Sequence, residues 1–229
     1  MKTIERIGHR GAPAHVPENT LASFDHAATC GVDAIELDVR LAADGQVIVL
    51  HDATLDRTTT GSGPAAALTA DELAAYDVPR YAAVLDLLRG RCQITCEIKE
   101  AAAWPAALEI TRAADALATT VFTCFDHGVI EALRAAEPAC RAGGLTGGPD
   151  AAFIARMAAC GAELADVLWS SLTAEWTAAA QAAGLRVRAW TCNDEAALRH
   201  ALAAGADGLM SDDPAWLLAC VGADGTWLA

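Results

Sequence analysis

The chain has 229 residues, of which 54% are apolar, so it can bury a sizeable core as one large domain or two small ones. It carries 16 basic and 30 acidic residues, a formal net charge of −14, which argues against nonspecific binding of DNA or RNA because that needs a cationic surface. No apolar run is long enough to span a bilayer, and the N-terminal MKTIERIGHRG lacks the apolar stretch of a secretory signal. These features favour a cytoplasmic protein without an integral membrane segment.

The eight cysteines lie mostly in apolar strands or at helix ends, and none of them forms a CxxC pair. We interpret them as reduced core residues of a cytosolic protein, with a disulfide or a zinc site as the alternative. The only close pair, Cys92 and Cys96, lies along one predicted strand, where it is poorly placed for either role.

Strands and helices alternate along the chain. Short apolar runs predict strands at about residues 4–8, 34–39, 94–98, 121–125, 141–145, 167–170, 187–191 and 208–211. Ala-rich segments predict helices near residues 20–30, 82–89, 102–118, 127–136, 150–160, 173–183 and 194–204. Four glycines stand where a left-handed residue ends a helix: Gly31, Gly161, Gly184 and Gly205.

Eight strands with intervening helices predict an α/β fold, a closed (β/α)8 TIM barrel that forms a single domain over residues 1–229. A doubly wound open sheet is the alternative, but no GxGxxG motif follows the first strand. We found no low-complexity linker and no boundary of a second domain.

Residues 34–51 interrupt the alternation with two β runs joined by Asp44-Gly45. Asp-Gly is a strong signal for a hairpin with a two-residue loop. A loop of that length places Asp38 directly opposite His51. We therefore expect a β-hairpin extension of strand 2 that folds the histidine back beside the carboxylate.

The segment 52–81 after the hairpin is a short insertion into the barrel. It is polar at first, with the sequence ATLDRTTTGSG, and then shows the capping-box pattern at Thr69 and Glu72. The capping box predicts that a short helix begins there.

Potential catalytic groups end four of the apolar runs. They are His9-Arg10, Glu36 with Asp38, His51-Asp52, and Glu97 with Lys99. Because side chains alternate along a strand, each pair two residues apart faces the same side, and the active site of a barrel lies at the C-terminal ends of its strands. The carboxylates of Glu36, Asp38 and Glu97, two imidazoles and two cations gathered there fit a divalent metal, an acid–base pair and a phosphate. The pattern indicates a phosphodiesterase.

Lys99 stands out because the chain has 14 arginines and only one other lysine, Lys2. Lys99 places an ammonium group directly after an apolar strand. An ammonium is a compact charge and binds anions differently from a planar guanidinium. We interpret Lys99 as a functional residue; the alternative is a lysine retained by chance on a surface loop.

Five motifs resemble those of one family, in order from residue 9 to residue 214. They are HRGAPAHVPENTLASF, ELDVRLAADGQVIVLHDATLDRTT, EIK, AWTCND and GADGLMSDDP. They resemble the glycerophosphodiester phosphodiesterases. The resemblance implies a TIM barrel that hydrolyses small-molecule glycerophosphodiesters to glycerol 3-phosphate and an alcohol with one divalent metal ion, Mg²⁺ or Ca²⁺.

The resemblance also implies roles for eight residues. They are the catalytic pair His9 and His51, the metal ligands Glu36, Asp38 and Glu97, the phosphate contacts Arg10 and Lys99, and Trp190 as a wall of the glycerol pocket. Carboxylates supply the hard oxygen atoms that Mg²⁺ and Ca²⁺ prefer. Histidine is the usual proton shuttle near neutral pH. The sequence leaves open the preferred alcohol, the choice of metal and the oligomeric state.

Neighbouring residues are interpreted more simply. Asn19 or Thr20 is expected to cap the first helix, and Asn193 also precedes a helix. Asp52 is placed to orient one of the two histidines. Cys124 stands where relatives commonly have a hydroxyl, which affects the choice of leaving alcohol rather than the chemistry.

Two mechanisms and three functions fit these residues. Water attacks the phosphorus directly, or the glycerol 2-hydroxyl attacks first and gives a cyclic phosphate; we favour the second, with His51 as base and His9 as acid. A lysophospholipase D-type hydrolase would use the same site but needs an apolar groove for an acyl chain. The short insertion offers little of one, and Trp169, Trp176, Leu145 and Leu172 are the residues that would line its mouth. A noncatalytic phosphoester-binding protein would be expected to lack a histidine or a carboxylate of the set.

Overall fold

The computed structural model describes residues 3–148 and 150–228, so Lys2 lies outside the described residues. Within them the strands are β1 Glu5–Gly8, β2 Ala34–Leu41, β3 Val47–Val49, β4 Gln93–Ile98, β5 Thr120–Cys124, β6 Arg141–Thr146, β7 Leu164–Leu168, β8 Arg186–Trp190 and β9 Gly208–Ser211. They follow the order β1-β9-β8-β7-β6-β5-β4-β2-β3, and β1 also pairs with β2. That pairing closes a barrel of eight parallel strands, with β3 as an antiparallel addition. The predicted (β/α)8 barrel is confirmed.

Helices alternate with the barrel strands. They are α1 Leu21–Cys30, α2 Ala70–Ala74, α3 Tyr81–Leu88, α4 Trp104–Ala113, α5 His127–Ala136, α6 Ala151–Ala159, α7 Ala174–Ala182, α8 Glu195–Ala203 and α9 Pro214–Cys220. Positive φ angles occur at the four glycines predicted to end helices, Gly31, Gly161, Gly184 and Gly205. In the part of the chain that the structure describes, no helix has the length and apolarity needed to cross a membrane.

The strand predicted at 167–170 begins earlier than expected. β7 spans Leu164–Leu168 and pairs with β6 and β8 on its two sides. The predicted strand includes Trp169 and Ser170, but Trp169–Ser171 forms a 3₁₀ helix instead. The hydrogen-bonded neighbours therefore decide where this strand lies, because the apolar run alone does not mark its ends.

Proline marks the first turn of two helices whose limits the sequence analysis misjudged. Pro105 lies in the first turn of α4, which is shorter than the predicted helix at 102–118. Pro214 begins α9, which the analysis missed, and the side chain of Asp213 accepts a hydrogen bond from the N–H of Trp216 there. Proline suits a first helical turn because its fixed φ matches that of the helix. The N–H groups of the first turn have no acceptor within the helix, so proline loses nothing there by lacking one.

The hairpin differs from its prediction by one residue. Its loop has three residues, since the N–H of Ala42 donates to the carbonyl of Gln46 and the N–H of Gly45 donates back to Ala42. Gly45 has a φ of 75°, the left-handed position of a type I turn with a bulge. Asp38 consequently faces Leu50, whose N–H donates to its carbonyl, and is not opposite His51.

The insertion 52–81 has a small apolar core of its own. Its buried members, shared with the hairpin, are Ala42, Ile48, Leu50, Leu55, Ala65, Ala70, Leu73 and Val78. The predicted capping box is present, because the Thr69 hydroxyl accepts from the N–H of Glu72 and the Glu72 carboxylate accepts from the N–H of Thr69. The apolar side chains of the insertion thus pack on the hairpin, apart from Tyr81 at its end, which belongs to the main core.

A buried ion pair fills the interior of the barrel beneath the strand ends. Arg188 donates two hydrogen bonds to Asp166, both at 2.7 Å, and a third to the Thr95 hydroxyl at 2.9 Å. The side chains of Arg188 and Asp166 are each only 1% exposed. The pair joins the neighbouring strands β7 and β8, and the bond to Thr95 reaches β4 across the barrel interior. Removing one partner would leave an uncompensated buried charge.

Candidate active site

One small cavity at the C-terminal end of the barrel gathers most of the predicted site. It measures about 70 Å³ and is lined by His9, Arg10, Glu36, His51, Glu97, Lys99, Thr123, Phe125, Leu145, Asp166, Trp190 and Met210. Seven of the eight predicted site residues are among them, and the eighth, Asp38, contacts Lys99. A larger groove of about 650 Å³ lies beside the insertion and includes none of the eight. Chemistry rather than volume therefore identifies the candidate site.

Three buried carboxylates meet in this site. Glu36 and Asp38 are two residues apart on β2, and Asp38 is in register with Glu97 on β4. One oxygen atom of each lies within 4.8 Å of the others, and the three residues are 4%, 0% and 7% exposed. The period of two along a strand and the register between parallel neighbours together place them.

The electrostatics of the three carboxylates show a shortage of positive charge. Burial and the neighbouring Asp38 raise the pKa of Glu97 to about 7. Burial, together with Asp38 and Glu97, raises the pKa of Glu36 well above its usual range. Burial alone would also raise the pKa of Asp38, but Lys99 and Arg10 lower it. The cluster could hold a metal ion, since a divalent cation would compensate the excess charge and carboxylate oxygens suit hard ions.

Lys99 and Arg10 bring positive charge to the same cluster. Lys99 Nζ lies 2.6 Å from Glu97 Oε1 and 3.2 Å from Asp38 Oδ1. The backbone N–H of Arg10 donates to Glu36 at 3.0 Å, and its Nε lies 3.4 Å from Asp38. Both side chains also line the cavity. Two cations beside open space can bind an anionic group of a ligand.

The loop after β1 is shaped by the residues that follow His9. Arg10 has a φ of 53° and Gly11 a φ of 92°. A Cβ atom on Gly11 would come within 2.3 Å of the Ser23 hydroxyl oxygen, so glycine is required there by space as well as by backbone conformation. Ser23 in α1 also accepts a hydrogen bond from the N–H of Ala12. The first helix thereby holds the loop that carries His9 and Arg10.

Both histidines are anchored in the same way. His9 Nδ1 lies 2.6 Å from Asp212 Oδ1, and His51 Nδ1 lies 2.6 Å from Asp52 Oδ1. An ionised carboxylate only accepts, so Nδ1 carries a proton in each ring and Nε2 is the free nitrogen. Nε2 of His9 lies 4.0 Å from Glu36. The arrangement suits proton transfer at two Nε2 atoms.

His51 reaches the cavity even though it is not opposite Asp38. β3 ends at Val49, so the alternation of a strand no longer fixes the direction of later side chains. Nε of Arg40 donates to the carbonyl oxygen of His51 at 2.9 Å and holds the turn. Burial lowers the pKa of the His51 imidazole, which favours its neutral form near pH 7.

Two residues that the sequence pattern does not single out support the first histidine. Asp212 stands in the last of the five motifs without a predicted role, and Asn193 is predicted to lie at a helix start. Asp194 caps that helix, while Asn193 Nδ2 donates to Asp212 at 2.6 Å and Asn193 Oδ1 accepts from the N–H of Asp212 at 2.9 Å. Asp212 follows β9 directly, so the rule that catalytic groups follow barrel strands would have found it.

Asn19 also has a different place from the one expected. Thr20 caps α1, and Asn19 is buried with a φ of 57°. Its Nδ2 donates to Asp38 Oδ2 at 2.7 Å, and its Oδ1 accepts from the N–H of Asp38 at 3.3 Å. Asn19 therefore fixes the carboxylate of Asp38 in the cluster.

An apolar wall lines the opposite side of the cavity. Trp190 ends β8 and meets the ring of Phe125 edge-on, with 5.8 Å between the ring centroids. Leu145 lies on the same wall. Cys124 is not among the described residues that line the cavity, and its thiol donates to the carbonyl of Ile98 at 3.0 Å. The cavity thus combines a charged side with a side suited to carbon atoms.

Comparison with known proteins agrees with these observations. The model of the "Glycerophosphoryl diester phosphodiesterase family" matches residues 9–216. A glycerophosphodiester phosphodiesterase of Caldanaerobacter subterraneus is 49% identical over 77 residues, which is 34% of this chain and 31% of that protein. The matches to such curated relatives span less than a third of their length.

Solved structures are similar over nearly the whole chain. A phosphodiesterase of Oleispira antarctica in complex with the product sn-glycerol-3-phosphate has a TM-score of 0.87 and 25% identity, covering 95% of this chain and 96% of the other. A glycerophosphodiester phosphodiesterase of Thermotoga maritima has a TM-score of 0.82 and 26% identity, covering 94% and 97%. With the family match over most of its length, the chain belongs to the glycerophosphoryl diester phosphodiesterase family.

Proposed function

We propose that this protein is a phosphoric diester hydrolase that cleaves glycerophosphodiesters to glycerol 3-phosphate and an alcohol. The observation that carries the proposal is the meeting of two carboxylate-anchored histidines, three buried carboxylates and two cations at one cavity. Family membership and the likeness to a phosphodiesterase whose complex holds sn-glycerol-3-phosphate support it.

Glu36, Asp38 and Glu97 are the proposed ligands of one divalent ion, Mg²⁺ or Ca²⁺. When bound, the ion supplies charge compensation for the phosphoryl oxygens and for the carboxylates themselves. Arg10 and Lys99, which line the same cavity, bind the phosphate of the substrate. Trp190, Phe125 and Leu145 contact the glycerol carbons and exclude water from them.

His51 and His9 move the protons in this mechanism. Nε2 of neutral His51 accepts the proton of the glycerol 2-hydroxyl as the oxygen of that hydroxyl bonds to phosphorus. Nε2 of protonated His9 gives a proton to the leaving alcohol as the bond between phosphorus and the oxygen of that alcohol breaks. Water then opens the cyclic phosphate with the roles reversed: His9 takes the proton of water and His51 returns its proton to the 2-hydroxyl. Direct attack by water on the diester needs the same two residues.

An assay of products tests the proposal. Glycerophosphocholine, glycerophosphoethanolamine and glycerophosphoglycerol are incubated with the protein and either EDTA, Mg²⁺ or Ca²⁺, and glycerol 3-phosphate is measured. We expect its release from at least one substrate in the presence of metal. Binding of glycerol 3-phosphate without turnover of any of the three would instead indicate a noncatalytic phosphoester-binding protein.

The groove beside the insertion supports a second candidate, cleavage of lysophospholipids in the same site. The groove measures about 650 Å³, and Leu21, Leu50 and Val78 give it apolar walls. Glu18 and Asn19 border it and also contact Arg10 and Asp38. Of the four residues expected to line an acyl-binding mouth, Leu145 borders the cavity, whereas Trp176 and Leu172 are buried and Trp169 packs on His200. Release of lysophosphatidic acid from lysophosphatidylcholine would support this activity.

A further inference from the structure

Arg57, in the insertion, uses its guanidinium group on two carboxylates. Nε and Nη2 donate to the two oxygens of Asp52 at 2.7 and 3.0 Å, and Nη1 and Nη2 donate to the two oxygens of Glu18 at 2.9 and 2.7 Å. Paired contacts of this kind fix orientation as well as distance. We call the set Asp52, Arg57 and Glu18 the Arg57 bridge; it joins the segment after β3 to the loop between β1 and α1.

Each carboxylate of the Arg57 bridge also contacts a residue of the cavity. Asp52 Oδ1 accepts from Nδ1 of His51 at 2.6 Å, and Glu18 Oε1 accepts from Nη1 of Arg10 at 3.0 Å. Arg57 is not among the described residues that line the cavity, and its side chain is 47% exposed. Its contacts with the residues of the cavity therefore run through its two carboxylate partners.

The two cavity residues that the bridge reaches depend on Arg57 to different degrees. Arg10 has further contacts with Glu36, through its backbone N–H, and with Asp38. The side-chain contacts described for Asp52 are with His51 and Arg57. The hydrogen bonds from Arg57, with those from His51, also hold the pKa of Asp52 well below its usual range. Loss of Arg57 would thus leave Asp52 free to rotate, while Arg10 would stay in place.

We propose that Arg57 is a positioning residue that fixes the Asp52 carboxylate and, through it, the imidazole of His51. The inference rests on the proposed hydrolysis, in which His51 exchanges protons with the substrate. A fixed bond from Nδ1 to Asp52 keeps Nε2 as the nitrogen that faces the reacting oxygen. Because exposed ion pairs contribute little to stability, the effect of the bridge falls on the geometry of His51.

Kinetics of Arg57→Ala and Arg57→Lys test this role against Arg112→Ala. Arg112 is a matched control on α4, since its side chain is 45% exposed and contacts two carboxylates, Glu109 at 3.3 Å and Glu137 at 2.8 Å. At saturating metal we expect Arg57→Ala to lower kcat about tenfold or more with KM changed less than about twofold. Arg57→Lys should recover only part of the loss, because an ammonium cannot make the paired contacts. Arg112→Ala should match the wild type.

A second measurement does not depend on turnover. Proton–nitrogen spectra of histidine-labelled protein report the Nδ1 proton of His51, assigned by its absence in His51→Ala. We expect that resonance to shift in Arg57→Ala and to stay unchanged in Arg112→Ala. A wild type inactive on every glycerophosphodiester would refute the proposed function, yet the selective shift would still support the positioning role.

Three results would overturn the proposal. The first is a kcat of Arg57→Ala equal to that of the wild type, or an equal fall in Arg112→Ala. The second is a loss confined to KM, which would mark Arg57 as a substrate contact. The third is a His51 resonance that does not respond to the loss of Arg57.

Discussion

Lys99 lies beside the carboxylate cluster, and its side chain is only 12% exposed. Its ammonium group touches both Glu97 and Asp38. The space is small because a strand places Glu97 only two residues away on the same face. Size and shape therefore restrict which cation fits at this position.

Lys99→Arg should reduce activity although it conserves the charge. A planar guanidinium is larger than an ammonium and would displace the carboxylates. We expect kcat/KM to fall at least about tenfold, or roughly 1.4 kcal/mol of transition-state stabilisation, with little change in Tm. Steady-state kinetics on glycerophosphoethanolamine at saturating metal measure the effect. Kinetics equal to those of the wild type would mean that the retained lysine is an accident of composition.

His9→Ala and His51→Ala should each be nearly inactive and melt close to the wild type. Loss of a general acid or base typically lowers the rate about 10²–10⁴-fold. His200→Ala is the control, since His200 is partly buried and binds the carbonyl of Leu172 away from the cavity. Product release and thermal melting are compared for all three variants. A loss of activity that merely follows a loss of folded protein would identify the two histidines as structural.

Residues that directly follow strands could be predicted, because the barrel brings all strand ends together. Partners from distant parts of the chain could not. Asn19 binds Asp38, and Asp212 binds His9 across 203 positions. Neither pairing leaves a local pattern in the sequence. The place of Asp212 directly after β9 marks it as a candidate, but nothing near it in the chain indicates that its partner is His9.

At the scale of elements, the hairpin shows what a short motif does and does not determine. Asp44-Gly45 marked the turn correctly but not the length of its loop. The same two residues fit a two-residue loop and a three-residue loop in which glycine takes the left-handed position. The one additional residue in the loop places Asp38 opposite Leu50 instead of opposite His51. Alternation and helix-ending glycines, which repeat along the chain, gave the other predicted elements to within about five residues, whereas α9 has no such signal and was missed.

Gly45→Ala should therefore destabilise the protein even though its Cβ atom would meet open space. The φ of 75° costs an alanine about 1 kcal/mol. Gly147→Ala is the matched control, because Gly147 is also open and has no positive φ. Urea denaturation of the two variants gives the comparison. Equal midpoints would mean that the loop adopts another conformation.

At the scale of the molecule, the barrel interior has two layers. The lower layer is the buried pair of Arg188 and Asp166, and the upper layer is the cavity at the C-terminal ends of the strands. Arg188 and Asp166 fill the lower layer with fully buried charge, and Asp166 also lines the cavity above. The match of the family over residues 9–216 covers both layers. That the whole of residues 1–229 forms one cytoplasmic domain stays a prediction.

Arg188→Met should cost about 3–5 kcal/mol of unfolding free energy, because it leaves Asp166 buried without a partner. Burial already raises the pKa of Asp166 above its ordinary value of 3.8, and loss of Arg188 would raise it further. A carboxyl whose pKa is higher in the folded state destabilises that state as pH rises, so the deficit should grow as pH rises above about 4. Denaturation at several pH values tests this. The double variant Asp166→Leu with Arg188→Met should recover most of the loss.

Chelation should abolish turnover, and Mg²⁺ or Ca²⁺ should restore it. A bound ion also stabilises the folded state, so adding metal should raise Tm of the wild type. Glu97→Gln should fold but show a much smaller rise in Tm and weaker metal binding by calorimetry. Full activity of a rigorously metal-free preparation would exclude metal dependence.

The separate apolar core of the insertion has a consequence for divergence within the family. Its side chains pack on the hairpin and on each other, so the segment can change in length and composition without repacking the barrel. Substrate preference can then evolve by exchange of this segment while the catalytic strands stay the same. The exchange has to keep Asp52, which lies in this segment, and an arginine able to reach Asp52 and Glu18 as Arg57 does. A chimera that carries a foreign insertion should gain activity when both residues are restored.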